Sequence, residues 1–177
     1  MTPHARILAG NLRNLLWLRV TGKGSHEICP GLKCFATERI EEGARHFVVD
    51  LETCPAMDST FMGTLTGIAV RLLEFPGGRL QVVNANERNR LLLGNLGLDN
   101  IFEVELDGTV WQAEKEIVNA SLTAAVTGGV GERPAGAAHR ECLIEAHESL
   151  CDAHEANRLK FQDVLDCLKR ERESQPA

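Results

Sequence analysis

The stretch Cys54-Pro55-Ala56-Met57-Asp58-Ser59-Thr60-Phe61-Met62-Gly63 holds the residues best suited to chemistry. Asp58 is a candidate N-cap, because its carboxylate can accept a backbone N–H at a helix start. A hydroxyl just behind such a cap sits among N–H groups without helical partners, at the positive end of the helix dipole. Ser59 can therefore carry a phosphate with little local strain, which would add about −1.5 to −2 charges beside Asp58 and change the surface a partner meets. The same residues have a plain structural reading, in which Ser59 and Thr60 only favour helix initiation. A second cluster lies downstream, where His147, Cys151 and His154 follow i, i+4, i+7 spacing. On one helical face they would present two imidazoles and a thiolate, a donor set suited to zinc or copper. Three ligands on one straight helix need another segment or chain to close around an ion. A mixed interface or solvent face explains the spacing as well, so no metal and no cofactor is expected.

Other reactive types carry less. The six cysteines include no Cys-x-x-Cys pair, so a structural zinc ribbon is not expected. Cys29 and Cys34 flank a possible helix start and read as buried apolar thiols. His46 beside a strand reads as a boundary or core histidine. The Gly-rich run at 128–136 lacks the Gly-Lys-Ser/Thr of a phosphate loop, and neither Gly-x-Ser-x-Gly nor His-Glu-x-x-His occurs. The chain is therefore expected not to be an enzyme.

The elements that would position these residues can be read from apolar spacing. Residues 14–20 read as a strand with Leu16, Leu18 and Val20 on one face. Leu32, Phe35, Ala36 and Ile40 recur at helical spacing behind Pro30, and Gly43 suits the end of that helix. His46–Leu51 is nearly all apolar, as in a strand covered on both faces. Behind Asp58, the stripe Phe61, Leu65, Ile68, Leu72 predicts a helix with one buried face, stopped at Pro76-Gly77-Gly78. Gly63 and Gly67 would let that helix pack closely on a neighbour. Leu80–Val83 is a short strand, Asn86 can cap a helix that ends near Gly97, and residues 102–106 alternate as a strand before an Asp107-Gly108 turn. Residues 111–126 read as helix. This alternation predicts an α/β fold, a mixed sheet packed with helices. A Gly/Pro linker at 128–136 then separates residues 1–127 from an accessory segment, 137–177, whose pattern is one long amphipathic helix.

Met57-Asp58-Ser59-Thr60 after a strand, followed by Phe61-Met62-Gly63 and an apolar helix, resembles the signature of STAS domains, the anti-sigma-factor antagonist family. The element order is similar too, as is Val83-Asn84-Ala85-Asn86 leading into a Leu-rich helix that ends at Gly97-Leu98. The resemblance covers residues 14–127. It implies that Ser59 is the phosphoacceptor of an anti-sigma factor with serine kinase activity. It implies also that the unphosphorylated chain binds the anti-sigma factor and releases the sigma factor, and that a phosphatase resets the switch. Asp58 and Thr60 flank Ser59 on the implied docking surface; Thr64 and Arg71, near the line from Thr60 along the less apolar face of the helix, are candidates for partner contact that read equally well as ordinary solvent-facing residues. Some members have Asp-Ser-Ser-Gly, and here Phe61 stands in place of the glycine, where it would enter the core or narrow the surface around Ser59. Two rival readings remain: a STAS-like regulatory or scaffold subunit, as in lipid-transport assemblies, whose Ser59 is not phosphorylated, and a metal- or redox-responsive module.

Composition sets the surroundings. The 177 residues carry a formal net charge of −6, and residues 111–177 hold −4 of it, with 8 basic against 12 acidic side chains. An acidic chain lacks the basic face that nucleic acid requires, and no apolar run approaches the roughly 20 residues of a membrane span. The first residues lack the apolar core of a secretory signal, so the cysteines are expected to be reduced thiols in the cytoplasm. The amphipathic tail needs something to cover its apolar stripe: its own domain, a second copy in a homodimer, or another protein.

Overall fold

The computed structural model describes residues 5–105, 109–127 and 136–174. β1 (Arg6–Leu12) and β2 (Leu15–Thr21) pair as an antiparallel hairpin with Leu12 opposite Leu15. Then follow α1 (Cys29–Glu41), β3 (His46–Asp50), α2 (Ser59–Leu73), β4 (Arg79–Val83), α3 (Glu87–Asn95) and β5 (Glu103–Val104). A 3₁₀ turn at Leu98–Asn100 separates α3 from β5, and α4 (Gln112–Asn119) and β6 (Thr123–Thr127) complete the α/β unit. The strands lie in the order β5-β4-β3-β2-β1-β6. β2 to β5 are parallel and joined by helical crossovers, while β1 and β6 extend the sheet through antiparallel pairing.

β3 lies inside the sheet and every one of its residues is buried, which accounts for its unbroken apolar run. Side chains alternate across the pleat. Leu16, Leu18 and Val20 of β2 join Phe47 and Val49 on the face packed by α1 and α2, whose Leu32, Ala36, Ile40, Phe61, Leu65 and Leu72 fill the main core. Leu15, Trp17, Val48 and Val83 point to the opposite face and meet Val118 of α4. At the strand ends on this second side, the fully buried Asp50 accepts from Arg19 Nε (2.8 Å), Asn84 Nδ2 (2.9 Å) and Trp17 Nε1 (3.3 Å). These bonds keep its charge compensated.

The structure departs from the expected pattern in three places. β1 was not anticipated, since Ala9 and Gly10 dilute its apolar signal; its Ile7 is nevertheless fully buried. Residues 111–126 divide into helix α4 and strand β6, because Thr123–Val126 pair with β1 and tertiary pairing outweighs the helical reading. The C-terminal segment forms two helices, α5 (Gly136–Ala153) and α6 (Ala156–Ser174), folded against each other as a hairpin. Asn157 stabilises the break: its Nδ2 donates to Leu150 O at the end of α5 (2.8 Å) and to Leu96 O behind α3 (2.9 Å). Apart from Gly136, which opens α5, the predicted linker lies outside the described residues, as does the Asp107-Gly108 turn. No helix among the described residues is long and apolar enough to cross a membrane.

Candidate functional site

The start of α2 lies at the C-terminal end of the parallel strands, where three loops converge. The segment after β3 is tied to the one after β2 by Gly24 N–H donating to Ala56 O (3.0 Å) and by Asp58 N–H donating to Gly24 O (2.9 Å). Asn89 Nδ2 of α3 donates to Cys54 O from the other side (2.9 Å). Phe61 is fully buried, its ring 2.7 Å from where a Cβ on Gly24 would stand. Of the two expected places for Phe61, it therefore takes the core, and glycine at position 24 is what leaves room for it.

Asp58 caps α2 as predicted. Its Oδ1 accepts from Phe61 N–H (2.9 Å), and its Oδ2 accepts from His26 N–H (3.0 Å), so one carboxylate fastens both the helix start and the loop before α1. Ser59, half-buried in the first turn, points its Oγ at His147 Nε2 of α5, 3.1 Å away. The other ring nitrogen, Nδ1, lies 2.8 Å from Leu143 O. A carbonyl oxygen can only accept, so Nδ1 carries the proton; in the neutral ring Nε2 is then the acceptor and Ser59 the donor.

α5 covers this face of α2. A Cβ on Gly63 would overlap the Ala146 carbonyl oxygen, and one on Gly67 would stand 3.2 Å from Ser149 Oγ. Ser59, Gly63 and Gly67 are spaced by four residues and form one stripe on α2. The two helices meet along it most closely at Gly63, against the Ala146 backbone, with the His147 and Ser149 side chains over Ser59 and Gly67. Lys33 of α1 pairs with Glu145 of α5, and the His26 and His139 rings meet edge to face at 5.4 Å. Along one side of the stripe a cleft of about 510 Å³ opens between α1, α2 and α5, lined among others by Gly63, Gly67, Lys33, Arg71, Glu145 and Ser149.

The predicted docking residues therefore divide. Thr60 and Thr64 are buried, and Thr64 Oγ1 is turned back onto Thr60 O (2.9 Å). Arg71 stays exposed and pairs with Glu74 at 3.0 Å. His147, Cys151 and His154 do not converge: His147 faces Ser59, Cys151 packs with Ile144 and Leu165, and the His154 ring lies against Gly97. Burial pushes the Cys151 thiol up, away from the thiolate a metal needs, and does the same to Cys29, Cys54 and Cys142. Among the described residues no group of three His, Cys, Asp or Glu side chains could hold an ion. The pairing of Ser59 with His147 was missed in the sequence. The four-residue spacing of Ser59, Gly63 and Gly67 was its one available signal, because glycines on a helix stripe mark a close neighbour.

The STAS domain family model matches residues 7–115. Among solved structures, TM1081 of Thermotoga maritima, assigned as an anti-sigma factor antagonist, is 19% identical with a TM-score of 0.52. That likeness covers 63% of this chain and 92% of TM1081. The anti-sigma factor antagonist SpoIIAA in its unphosphorylated form is 22% identical with a TM-score of 0.50, covering 64% of this chain and 94% of its own. No curated protein matches the chain. At such identities the solved structures speak for the fold alone, while the family match extends over more than half of the sequence and contains Asp58-Ser59. The chain belongs to the STAS domain family.

Proposed function

We propose that this chain is a partner-switching protein of the anti-sigma-factor antagonist kind, with no catalytic activity of its own, acting in the cytoplasm to control transcription. Unphosphorylated, it binds an anti-sigma factor that is also a serine kinase; phosphorylated on Ser59, it lets go, and a phosphatase restores it. One observation carries this reading: the Ser59 hydroxyl stands in the first turn of α2, directly behind an Asp58 cap that fastens two loops. The free N–H groups and dipole of that turn favour an added anion. In the transfer, Ser59 Oγ forms a bond to the γ-phosphorus of kinase-bound ATP, the bond to ADP breaks, and the hydroxyl proton passes to a base of the kinase. The likeness in fold to TM1081 and SpoIIAA supports the partner class.

Phosphopeptide mass spectrometry on the native cells tests the modification, and pull-downs with wild type, Ser59→Ala and Ser59→Asp test its consequence. A phosphate at Ser59, with a kinase-type partner held by wild type and Ser59→Ala but lost by Ser59→Asp, is the expected result. A second reading, a STAS-like scaffold subunit that is never phosphorylated, is favoured by the engagement of Ser59 with His147 under α5. Partner capture indifferent to all three residues at position 59, with no phosphate there, would establish it instead.

A further inference from the structure

We infer that the α5–α6 hairpin is a ligand of this chain's own docking face, seated where a helical segment of the anti-sigma factor would bind in trans, so that partner and kinase reach Ser59 only when it lifts. The inference deepens the proposed function and rests on Ser59 being the switch. Three observations carry it. First, α5 lies on the Ser59–Gly63–Gly67 stripe, and a helix seated against glycine Cα atoms leaves no space for a second one. Second, Ser59 Oγ is engaged by His147, which is only 4% exposed. A phosphate replaces the hydroxyl proton that Ser59 donates to His147 Nε2, so it removes that bond and sets phosphate oxygens against the lone pair of a buried ring nitrogen. The seated hairpin and the phosphate therefore oppose each other. Third, the STAS family match ends at residue 115, so the hairpin lies wholly outside the matched region while covering a face inside it.

A competitor in cis lowers the apparent affinity for any partner, and the rate of Ser59 phosphorylation, by the fraction of molecules that are open. Partner binding and phosphorylation each draw on that open fraction. Neither needs a separate signal, although anything that loosens the hairpin promotes both.

Opening can be read without the partner. Cys142 of α5 is buried against the domain, whereas Cys34 and Cys167 are exposed. In the full chain, iodoacetamide labelling of Cys142, located by mass spectrometry, is expected to run at least ~100-fold slower than that of Cys34, as for a site reached only by local opening. Gly63→Ala places a methyl group against the Ala146 carbonyl while improving the helix propensity of α2, so it should unseat α5 and leave the domain intact. Asn157→Ala removes the bonds to Leu96 and Leu150 without touching α2. Either variant should accelerate Cys142 labelling at least ~10-fold with Cys34 unchanged, and should raise Ser59 phosphate occupancy in the native cells. Cys142 labelling that stays slow in both variants overturns the inference. So does faster labelling with Ser59 phosphate present at the wild-type level. Faster labelling with no Ser59 phosphate in any chain overturns instead the phosphorylation switch on which the inference rests.

Discussion

Asp58 permits a graded test of how the site is built. Its two carboxylate oxygens do separate work: Oδ1 caps α2 through Phe61 N–H, and Oδ2 holds the loop before α1 through His26 N–H. Asp58→Ala removes both. Loss of a cap costs about 1 kcal/mol, and loss of a hydrogen bond to a charged acceptor costs about 1.5 kcal/mol before solvent is counted. The Asp58 side chain is 26% exposed, so water replaces part of the second bond and the total falls to roughly 2 kcal/mol. For a chain of this length that lowers Tm by about 4–8 °C. Asp58→Asn keeps one acceptor oxygen, which can cap α2 but cannot also reach His26, so about half the loss is expected. Urea unfolding followed by the emission of Trp17, which is buried against Asp50, measures all three chains. Asn as damaging as Ala would mean that the charge acting on the helix dipole, and not the pair of bonds, holds the site together. An Ala variant within about 0.5 kcal/mol of wild type would refute the two-loop clasp altogether.

Other consequences are as specific. Gly24→Ala drives a methyl into the Phe61 ring and should cost about 1–3 kcal/mol by urea unfolding, an unusually large penalty for adding one carbon in a loop. Ser59→Ala leaves His147 Nε2 without its donor and should destabilise the full chain by about 1 kcal/mol, with His147→Ala costing more because the ring is buried beside Phe161. Burial, with Arg79 alongside, holds the His46 imidazole below its ordinary pKa, while Gln81 opposes the shift. The folded chain therefore resists protonation that the unfolded chain accepts. Stability should be level above about pH 6.5 and fall as the pH drops below it, with His46→Gln falling less steeply in urea titrations at pH 7.5 and 5.5. Of the ion pairs described for the hairpin, only Lys33–Glu145 joins it to the domain, and both partners are about half exposed. Raising NaCl to 0.5 M should accordingly change Cys142 labelling by less than about fivefold, since an exposed pair contributes at most about 1 kcal/mol.

Much of the domain was legible because its signals are local. The alternation of β2, the unbroken apolar run of β3 and the Asp58 cap each record their surroundings within a few residues, and the structure places them as read. β6 was not legible: Thr123–Thr127 becomes a strand only because β1, more than a hundred residues earlier, offers it an edge. The hairpin failed for a related reason. No glycine or proline marks the break at His154–Glu155; it depends on Asn157 reaching the Leu96 carbonyl, a contact that sequence spacing cannot express. At the site, the cap and the phosphoacceptor candidate could be read from residue type alone. The cover could not, because Thr60 and Thr64 have the polarity of a docking surface and are nevertheless buried.

The way the hairpin is attached bears on whether it can serve as a switch. An element fixed by a large apolar seam would open only with the whole fold, and one held by surface charges alone would scarcely stay shut. Here the contact on α2 is extensive and shaped: Gly63 admits the Ala146 carbonyl where a Cβ would overlap it, and Gly67 faces the Ser149 hydroxyl. The apolar contribution comes from a few residues, chiefly Leu150 and Cys142, which join the main core. Ile144, Cys151 and Leu165 instead pack within the hairpin itself. The hairpin thus keeps a small core of its own and a hydrogen-bonded hinge at Asn157. It can leave the domain as a folded unit, exposing the stripe beside Ser59 without unfolding either part. That division between internal and external contacts is what a competitor in cis requires: complementarity enough to occupy the face, and a core of its own to keep once it has left.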